Sequence, residues 1–512
     1  MGNQGNSSNN KNIAKNTILL YFRMLFLMFI GLITVRVTLQ ALGELNYGIY
    51  NVVGSAVITL SFLMGTLTSA TQRYFAFHLG KKDIEGYRNT FSMFIYCFAV
   101  LCLGVIFLGE TVGLNCISLL NIPHGSMQSA KFVYQTALFT FVINLFVVPY
   151  TSSIIAYERM SVFAYISIID GIAKLGLVYL LYLTEENKLE FYGFLILIES
   201  ALNAALYILF CHSKLSGCNI RRFWNKLAFY ELFSYTGWNL FGSISGMLST
   251  AGQNLLLNIF FGPLINTAKS IADKVSSMVE SFSTNFYLAV TPQIIKSYAS
   301  KEMDRLFSLV VMSSKFSFYL LLIFSFPLIL CIKSLLTIWL GEDSISPDMI
   351  IFSKLALVYC LIHCLELPIT QLIRATGKIK NYQIFVGIIT LSFIPISAIL
   401  LKCGAPAYST MIVLIIIVAL AQIIRVVIAH RRVDLSYRYY IGNTIIPLIY
   451  VTVSLIPIYF LLNNIPDDKF IQLIAKLLIS LAITMTVILF IGANQNERSY
   501  IKDVILAKLR KG

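Results

Sequence analysis

The residues with most chemistry to offer in this chain are charges set inside apolar runs. Arg23, Lys174, Lys269, Lys274 and Lys315 are basic; Asp170, Glu199, Asp273, Glu280 and Glu366 are acidic. A charge placed in hydrocarbon costs a few kcal/mol, so each one away from a helix end needs a use. Two uses follow from the groups themselves. A guanidinium held in the bilayer suits a planar, bidentate anion such as phosphate or carboxylate. A carboxylate in a cavity is pushed toward its neutral form by desolvation and toward its charged form by a nearby cation, so it can exchange a proton or Na+ as its exposure changes.

Arg23 has no acidic partner on its own helix. It lies about ten residues, roughly 15 Å, from the basic end, which is deep for snorkelling. It is assigned to anion binding with Lys174, Lys269, Lys274 and Lys315 as the cationic set; the competing use is a cross-helix salt bridge to Asp170 or Glu199. Asp170 with Lys174, and Lys269 with Asp273, stand one turn apart and can neutralise each other locally. The five carboxylates are the ion-coupling candidates, through H+ or Na+.

Two polar stripes accompany these charges. In "LINTAKSIADKVSSMVESFSTNFYLAV" (264–290), Asn266, Ser270, Asp273, Ser277, Glu280 and Thr284 recur at steps of four and three, one face of a helix. The preceding helix repeats the pattern through Tyr235, Asn239, Gly242, Gly246, Ser249 and Gln253. Asn239, Ser249, Gln253, Asn266, Ser270, Ser277 and Thr284 are therefore expected to line a water-filled cavity together with the first two helices.

The elements that position these groups are membrane helices. A mean hydropathy of +0.78 with 12% charged residues excludes a soluble globule. Apolar segments long enough to cross about 30 Å of hydrocarbon recur along the chain, and in lipid a helix satisfies its own backbone. The pattern predicts an all-α polytopic protein of about fourteen helices: 13–38, 46–75, 90–110, 128–152, 161–183, 189–211, 233–260, 264–297, 306–332, 349–373, 381–402, 405–429, 441–462 and 469–492. The first reads as a retained span rather than a cleaved signal, since its run is long and holds Arg23 and Arg36.

The net charge of +15 does not point to nucleic acid, because Lys and Arg alternate with topology. Basic loops such as "KKDIEGYR" (81–88), "RRFWNK" (221–226) and "HRRVDLSYR" (430–438) share one side; "TEENKLE", "GEDSISPD" and "NNIPDDK" share the other. That bias makes the first side cytoplasmic, with both termini inside.

Shifting the chain by 219 residues brings its halves into register. "HLGKKDIEGYR" at 78 meets "SYASKEMDRLF" at 297, and Pro149 falls on Pro368, so both prolines are hinge candidates; a static kink explains them as well. Six helices per copy is an even number, so the two copies share orientation. The expected organisation is a cytoplasmic segment 1–12, an N-lobe 13–212, a linker 213–232, a C-lobe 233–431, two extra helices within 432–492 and a basic tail 493–512. Nine dispersed cysteines and five dispersed histidines give no metal site or Cys/His catalytic pair, and no phosphate-binding Gly-rich loop of the ATPase type occurs. The long external loop near 111–127 has no acid after Glu110, which argues against a glycosyltransferase or polymerase.

With the repeat in place, "LGELNYGIYNVVGSAV" (42–57), "TPQIIKSYASKEMDRL" (291–306) and "RATGKIKNYQIF" (374–385) resemble the polysaccharide flippases of the multidrug/oligosaccharidyl-lipid/polysaccharide exporter superfamily, the Wzx-type proteins. The resemblance runs from about Asn12 to about Asn494. It implies two six-helix lobes with alternating access, a cationic cavity in which Arg23 matches the first-helix role, and a groove for a lipid tail at the last two helices. The family's further cavity arginines have no clear counterpart here; Lys269, Lys274 and Arg73 are the nearest. The implied activity is translocation of an undecaprenyl-pyrophosphate-linked oligosaccharide across a bacterial inner membrane, by a monomer that needs no cofactor, contacts membrane lipids and works alongside other polysaccharide-assembly membrane proteins. The alternative on the same fold is a cation-coupled multidrug or small-molecule antiporter.

Overall fold

The structure, a computed structural model, describes residues 16–498 except 32, 35–36, 39, 44–45, 47–48, 51–52, 54–60, 118–125, 185–186, 343–344, 466–468 and 496. The expected N-terminal segment, Arg36 and most of the basic tail lie outside these residues.

The described residues are mostly helical and contain no strand. In chain order the described helices of ten residues or more are α1 (Asn16–Gly31), α2 (Ser61–Gly80), α3 (Ile84–Leu108), α4 (Met127–Ala156), α5 (Met160–Tyr179), α6 (Lys188–Lys214), α7 (Lys226–Phe261), α8 (Pro263–Ala299), α9 (Met303–Leu340), α10 (Pro347–His363), α11 (Glu366–Ala375), α12 (Lys380–Lys402), α13 (Ser409–Val433), α14 (Ile446–Asn463) and α15 (Phe470–Val487). Ten described helical segments are long and apolar enough to cross a membrane. The other four expected spans meet α1, α2, α7 and α8, the last two carrying the polar stripes, while residues 54–60 of the expected 46–75 span lie outside the described residues.

The chain forms two compact units: Met1–Ser243 with Leu288–Glu302, and Ile244–Tyr287 with Met303–Gly512. The first therefore includes the start of α7 and the end of α8, which the repeat register assigned to the C-lobe. In the first unit α4 packs along α2, α3 and α6 around Leu138, Leu145 and Ile154, all fully buried. In the second, α9 is the central helix, packed on α10 and α15 around Leu321, Leu322, Leu357 and Val451.

The 219-residue repeat reappears as identical turn chemistry. After α2, Lys82 takes a left-handed φ of 58°, with Lys82 N–H bonding Leu79 O at 3.0 Å and Asp83 N–H bonding His78 O at 2.9 Å. After α8, Lys301 takes φ 60°, with Lys301 N–H on Tyr298 O at 3.1 Å and Glu302 N–H on Ser297 O at 2.9 Å. Both are the paired bonds by which a helix end satisfies its last carbonyls.

Asp83 then caps α3: its carboxylate accepts from Gly86 N–H at 2.8 Å, and that bond holds the carboxyl below its ordinary value of 3.8. Asp83→Ala is expected to lower stability by about 1 kcal/mol near neutral pH. Because the folded pKa is the lower one, the cap's contribution is full above about pH 3.8 and disappears as pH falls through the folded value. Parallel denaturation of wild type and variant at pH 7 and pH 3 checks this: the gap must narrow at the lower pH.

One expected element is broken in two. The run 349–373 reads as a single helix, yet the chain turns at Cys364 and Leu365 between α10 and α11. Pro368 has no N–H to give Cys364 O, and its ring crowds that carbonyl. The freed carbonyls find other donors: Tyr287 Oη bonds Cys364 O at 2.7 Å and Gln422 Nε2 bonds Leu365 O at 2.9 Å. Pro149, at the matching repeat position, lies inside an unbroken α4.

Candidate functional site

The break between α10 and α11 projects His363 and Glu366 toward α8 and α13, and four ionisable side chains meet there. His363 Nδ1 lies 2.6 Å from Glu280 Oε1 on α8, and its Nε2 lies 3.5 Å from Glu366 Oε2. Arg425 Nη2 of α13 donates to that same Glu366 oxygen at 2.7 Å. The imidazole is clamped from the side as well, stacked on Tyr359 with centroids 5.1 Å apart and planes 15° apart. Tyr382 lies beside the guanidinium and bonds the Thr370 hydroxyl at 3.0 Å.

Counting charges shows what this arrangement can do. Two carboxylates and one guanidinium sum to minus one, and a protonated imidazole brings the set to zero. The network is thus neutral with one proton, or one monovalent cation, and carries a net charge without it. Arg425 is 4% exposed as a side chain, so the imbalance is felt in a low dielectric. The side chains of Glu280 and His363 are 35% and 30% exposed.

The first unit holds a second charge group. The Arg23 guanidinium lies over the Phe163 ring, 4.4 Å from its centroid, within electrostatic reach of Asp170 and Tyr207. Glu199 is buried beside Asp170 and within reach of Lys174. Arg23 Nε and Asp170 Oδ1 are both buried without a hydrogen-bond partner among the described residues. Arg23, Asp170, Lys174 and Glu199 therefore form one cluster spanning α1, α5 and α6.

The remaining sequence-selected residues separate by environment. Lys269 bonds Asp273 at 2.6 Å, the intrahelical pair its spacing allowed. Lys274, Ser270, Ser277 and Thr284 lie exposed on α8, with Asn266 and Asp273 half-buried on the same helix. Lys315 is 1% exposed and its Nζ lies 2.6 Å from Glu497 Oε2. The α7 stripe is packed: Asn239, Ser249 and Gln253 are buried, and Gln253 Nε2 bonds Thr410 Oγ1 at 3.3 Å. Hydrogen-bonded burial of Gln253 against α13 leaves no room for cavity water at that side chain.

Sequence reasoning selected Glu280 and Glu366 but missed His363 and Arg425. The signal for His363 was its H-x-x-E spacing to Glu366, which on a continuous helix would put both on one face. Arg425 was masked by the basic run that follows it.

No family model matches the chain, and no curated protein matches it. Solved structures do. An outward-facing multidrug resistance MATE family transporter of the MOP superfamily superposes with a TM-score of 0.72 at 12% identity, over 83% of this chain and 96% of that one. A MATE protein in its straight conformation gives 0.72 at 13%, with the same shares. A MOP superfamily transporter from Pyrococcus furiosus, described as having a binding pocket of reversed polarity, gives 0.68 at 14%, over 82% and 96%. Identity at this level speaks for architecture alone, and the architecture is plain: the chain has the helical fold of MATE-type transporters of the MOP superfamily.

Proposed function

We propose that this chain is a multi-pass membrane transporter that works by alternating access and is coupled to a monovalent cation through Glu280, His363, Glu366 and Arg425. The observation that carries the reading is the charge imbalance of that network, relieved by a single proton or Na+. The Lys and Arg bias of the 81–88 and 301–305 turns favours a cytoplasmic position for them.

Two cargoes fit, each with its own support. One neighbour of like fold is described as a multidrug resistance transporter, which favours a small organic molecule exchanged for the coupling ion. The match covers 83% of this chain against 96% of its neighbour, so this chain carries more than the shared fold; α14 and α15, with the motifs at 42–57 and 374–385, favour a lipid-linked oligosaccharide. A sugar headgroup faces a barrier on the order of tens of kcal/mol in bare hydrocarbon, which a laterally open polar chamber removes. In this second reading Arg23 meets the pyrophosphate.

Deleting the gene and analysing lipids separates them. Accumulated glycolipid on the cytoplasmic leaflet, with surface glycan lost, selects the flippase; Arg23→Ala then reproduces the loss and Arg23→Lys partly restores export. Unchanged glycan with raised sensitivity to cationic dyes selects the antiporter.

A further inference from the structure

At the cytoplasmic-side turn after α4, the chain ends the helix with Glu158 in the left-handed region, φ 60°. Its N–H bonds Ile155 O at 2.9 Å and Arg159 N–H bonds Ile154 O at 3.0 Å, the same paired closure seen after α2 and α8. Glycine is the residue this position favours. The repeat makes the point directly: 219 residues on, the matching position is Gly377, with φ 76° and its N–H on Arg374 O at 3.0 Å. One copy of the turn has the unstrained residue and the other keeps a carboxylate at a conformational cost, so the carboxylate has a use.

Its partners show what the use is. Glu158 Oε1 lies 2.7 Å from Lys296 Nζ, and Glu158 Oε2 accepts from Gln293 Nε2 at 2.6 Å. Both partners are on the last turns of α8, a helix that begins in the second unit and ends in the first. Beside this clasp α8 meets α2 so closely that a Cβ on Gly80 would lie 2.7 Å from Lys296 Cα and 2.9 Å from Ala299 Cβ. Ser300 Oγ closes the contact on Gly80 O at 2.7 Å. The repeat mates of Gln293 and Lys296 are Tyr74 and Phe77, which have no such charge to offer Gly377. The clasp therefore exists once, not twice.

We propose that Glu158, Gln293 and Lys296 form a releasable latch that holds the basic-loop end of α8 against α2 and α4, and that its opening is a step in exposing the cytoplasmic side. Ordered on one side only, it biases the conformational equilibrium in one direction. The inference concerns conformation and stands apart from which cargo or ion the protein handles.

Paired spin labels at positions 82 and 301, on a background with accessible cysteines replaced, report the α2–α8 separation in nanodiscs without any cargo. Glu158→Gly and Glu158→Ala are expected to raise the population of a longer distance by about tenfold, as loss of hydrogen bonds to charged groups implies. Only the glycine variant should also gain heat stability, because only it relieves the left-handed backbone. Glu158→Lys combined with Lys296→Glu should return the short distance. An unchanged distance distribution in a folded Glu158→Gly protein of equal or higher melting temperature overturns the latch and leaves the clasp a packing contact.

Discussion

Glu497→Ala should lower unfolding stability by about 3 kcal/mol or more, the usual cost of leaving one member of a buried ion pair alone. Lys315 sits twelve residues into α9, 1% exposed, and its Nζ donates to Glu497 Oε2 at 2.6 Å. The same oxygen accepts from Asn494 N–H at 2.7 Å, so the carboxylate closes a turn just past the last helix. Arg498 Nε bonds Ala493 O at 2.9 Å, and Tyr319 Oη, one turn along α9 from Lys315, bonds Gly492 O at 3.0 Å. A side chain at Gly492 would meet the Tyr319 hydroxyl at 2.6 Å, so this carbonyl is reached only because the residue has no Cβ. Removing the carboxylate strands a buried ammonium and unpins the end of α15 together.

The reverse substitution is asymmetric, which makes the test specific. Lys315→Met replaces a buried charge with an apolar chain of similar length, and the Glu497 it abandons is 23% exposed and can reach water. Lys315→Met should therefore cost less than Glu497→Ala, and the double variant should be closer to wild type than the carboxylate deletion alone. Thermal unfolding in detergent reads all three. Equal losses in both single variants would mean that the pair is not what holds α15 to α9.

How much of this was legible beforehand depended on which physical signal each feature leaves. Hydropathy marks a span wherever lipid demands it, so the helices and the 219-residue repeat stood out. Hinging at Pro368 and Pro149 was equally legible, but the sequence treats the two alike while the structure breaks only one helix. The difference lies in the donors available nearby: Tyr287 and Gln422 satisfy the carbonyls beside Pro368. Those residues are distant in sequence, and no local pattern announces them.

Polar periodicity was legible in position and ambiguous in meaning. The stripe of α8 is exposed at Ser270, Ser277 and Thr284, whereas the α7 stripe of Asn239, Ser249 and Gln253 is buried in packing. A polar face reads the same whether its partner is water or a second helix, and only tertiary contact separates the two. Glu158 left no signal at all, since a glutamate in a short loop looks solvated. Its left-handed backbone and its glycine repeat mate became informative together once dihedral angles were known. Glu497 was hidden in the same way by a tail whose overall charge is basic.

The network itself supports the second large effect. Glu280→Gln should reduce ion-driven transport by about 5- to 150-fold, the span of ordinary coupling free energies, while the protein remains folded. Glu280 lies on the half-exposed edge of the network, and among the described residues its carboxylate bonds the imbalance-correcting imidazole, 2.6 Å away. With the carboxylate neutralised, Glu366 and Arg425 balance each other, and the site no longer needs a cation to be neutral. Glu366→Gln acts differently, because it leaves the Arg425 guanidinium buried with a neutral amide in place of its carboxylate partner; there the loss of transport should come with a loss of stability. Glu366→Gln with Arg425→Leu removes both charges, so folding should recover while coupling does not. Uptake driven by an imposed pH or Na+ gradient in proteoliposomes, set beside melting temperature for each variant, distinguishes the roles. Should Glu280→Gln transport at the wild-type rate under either gradient, the cation is bound elsewhere, and the Asp170–Glu199 pair of the first unit becomes the place to look.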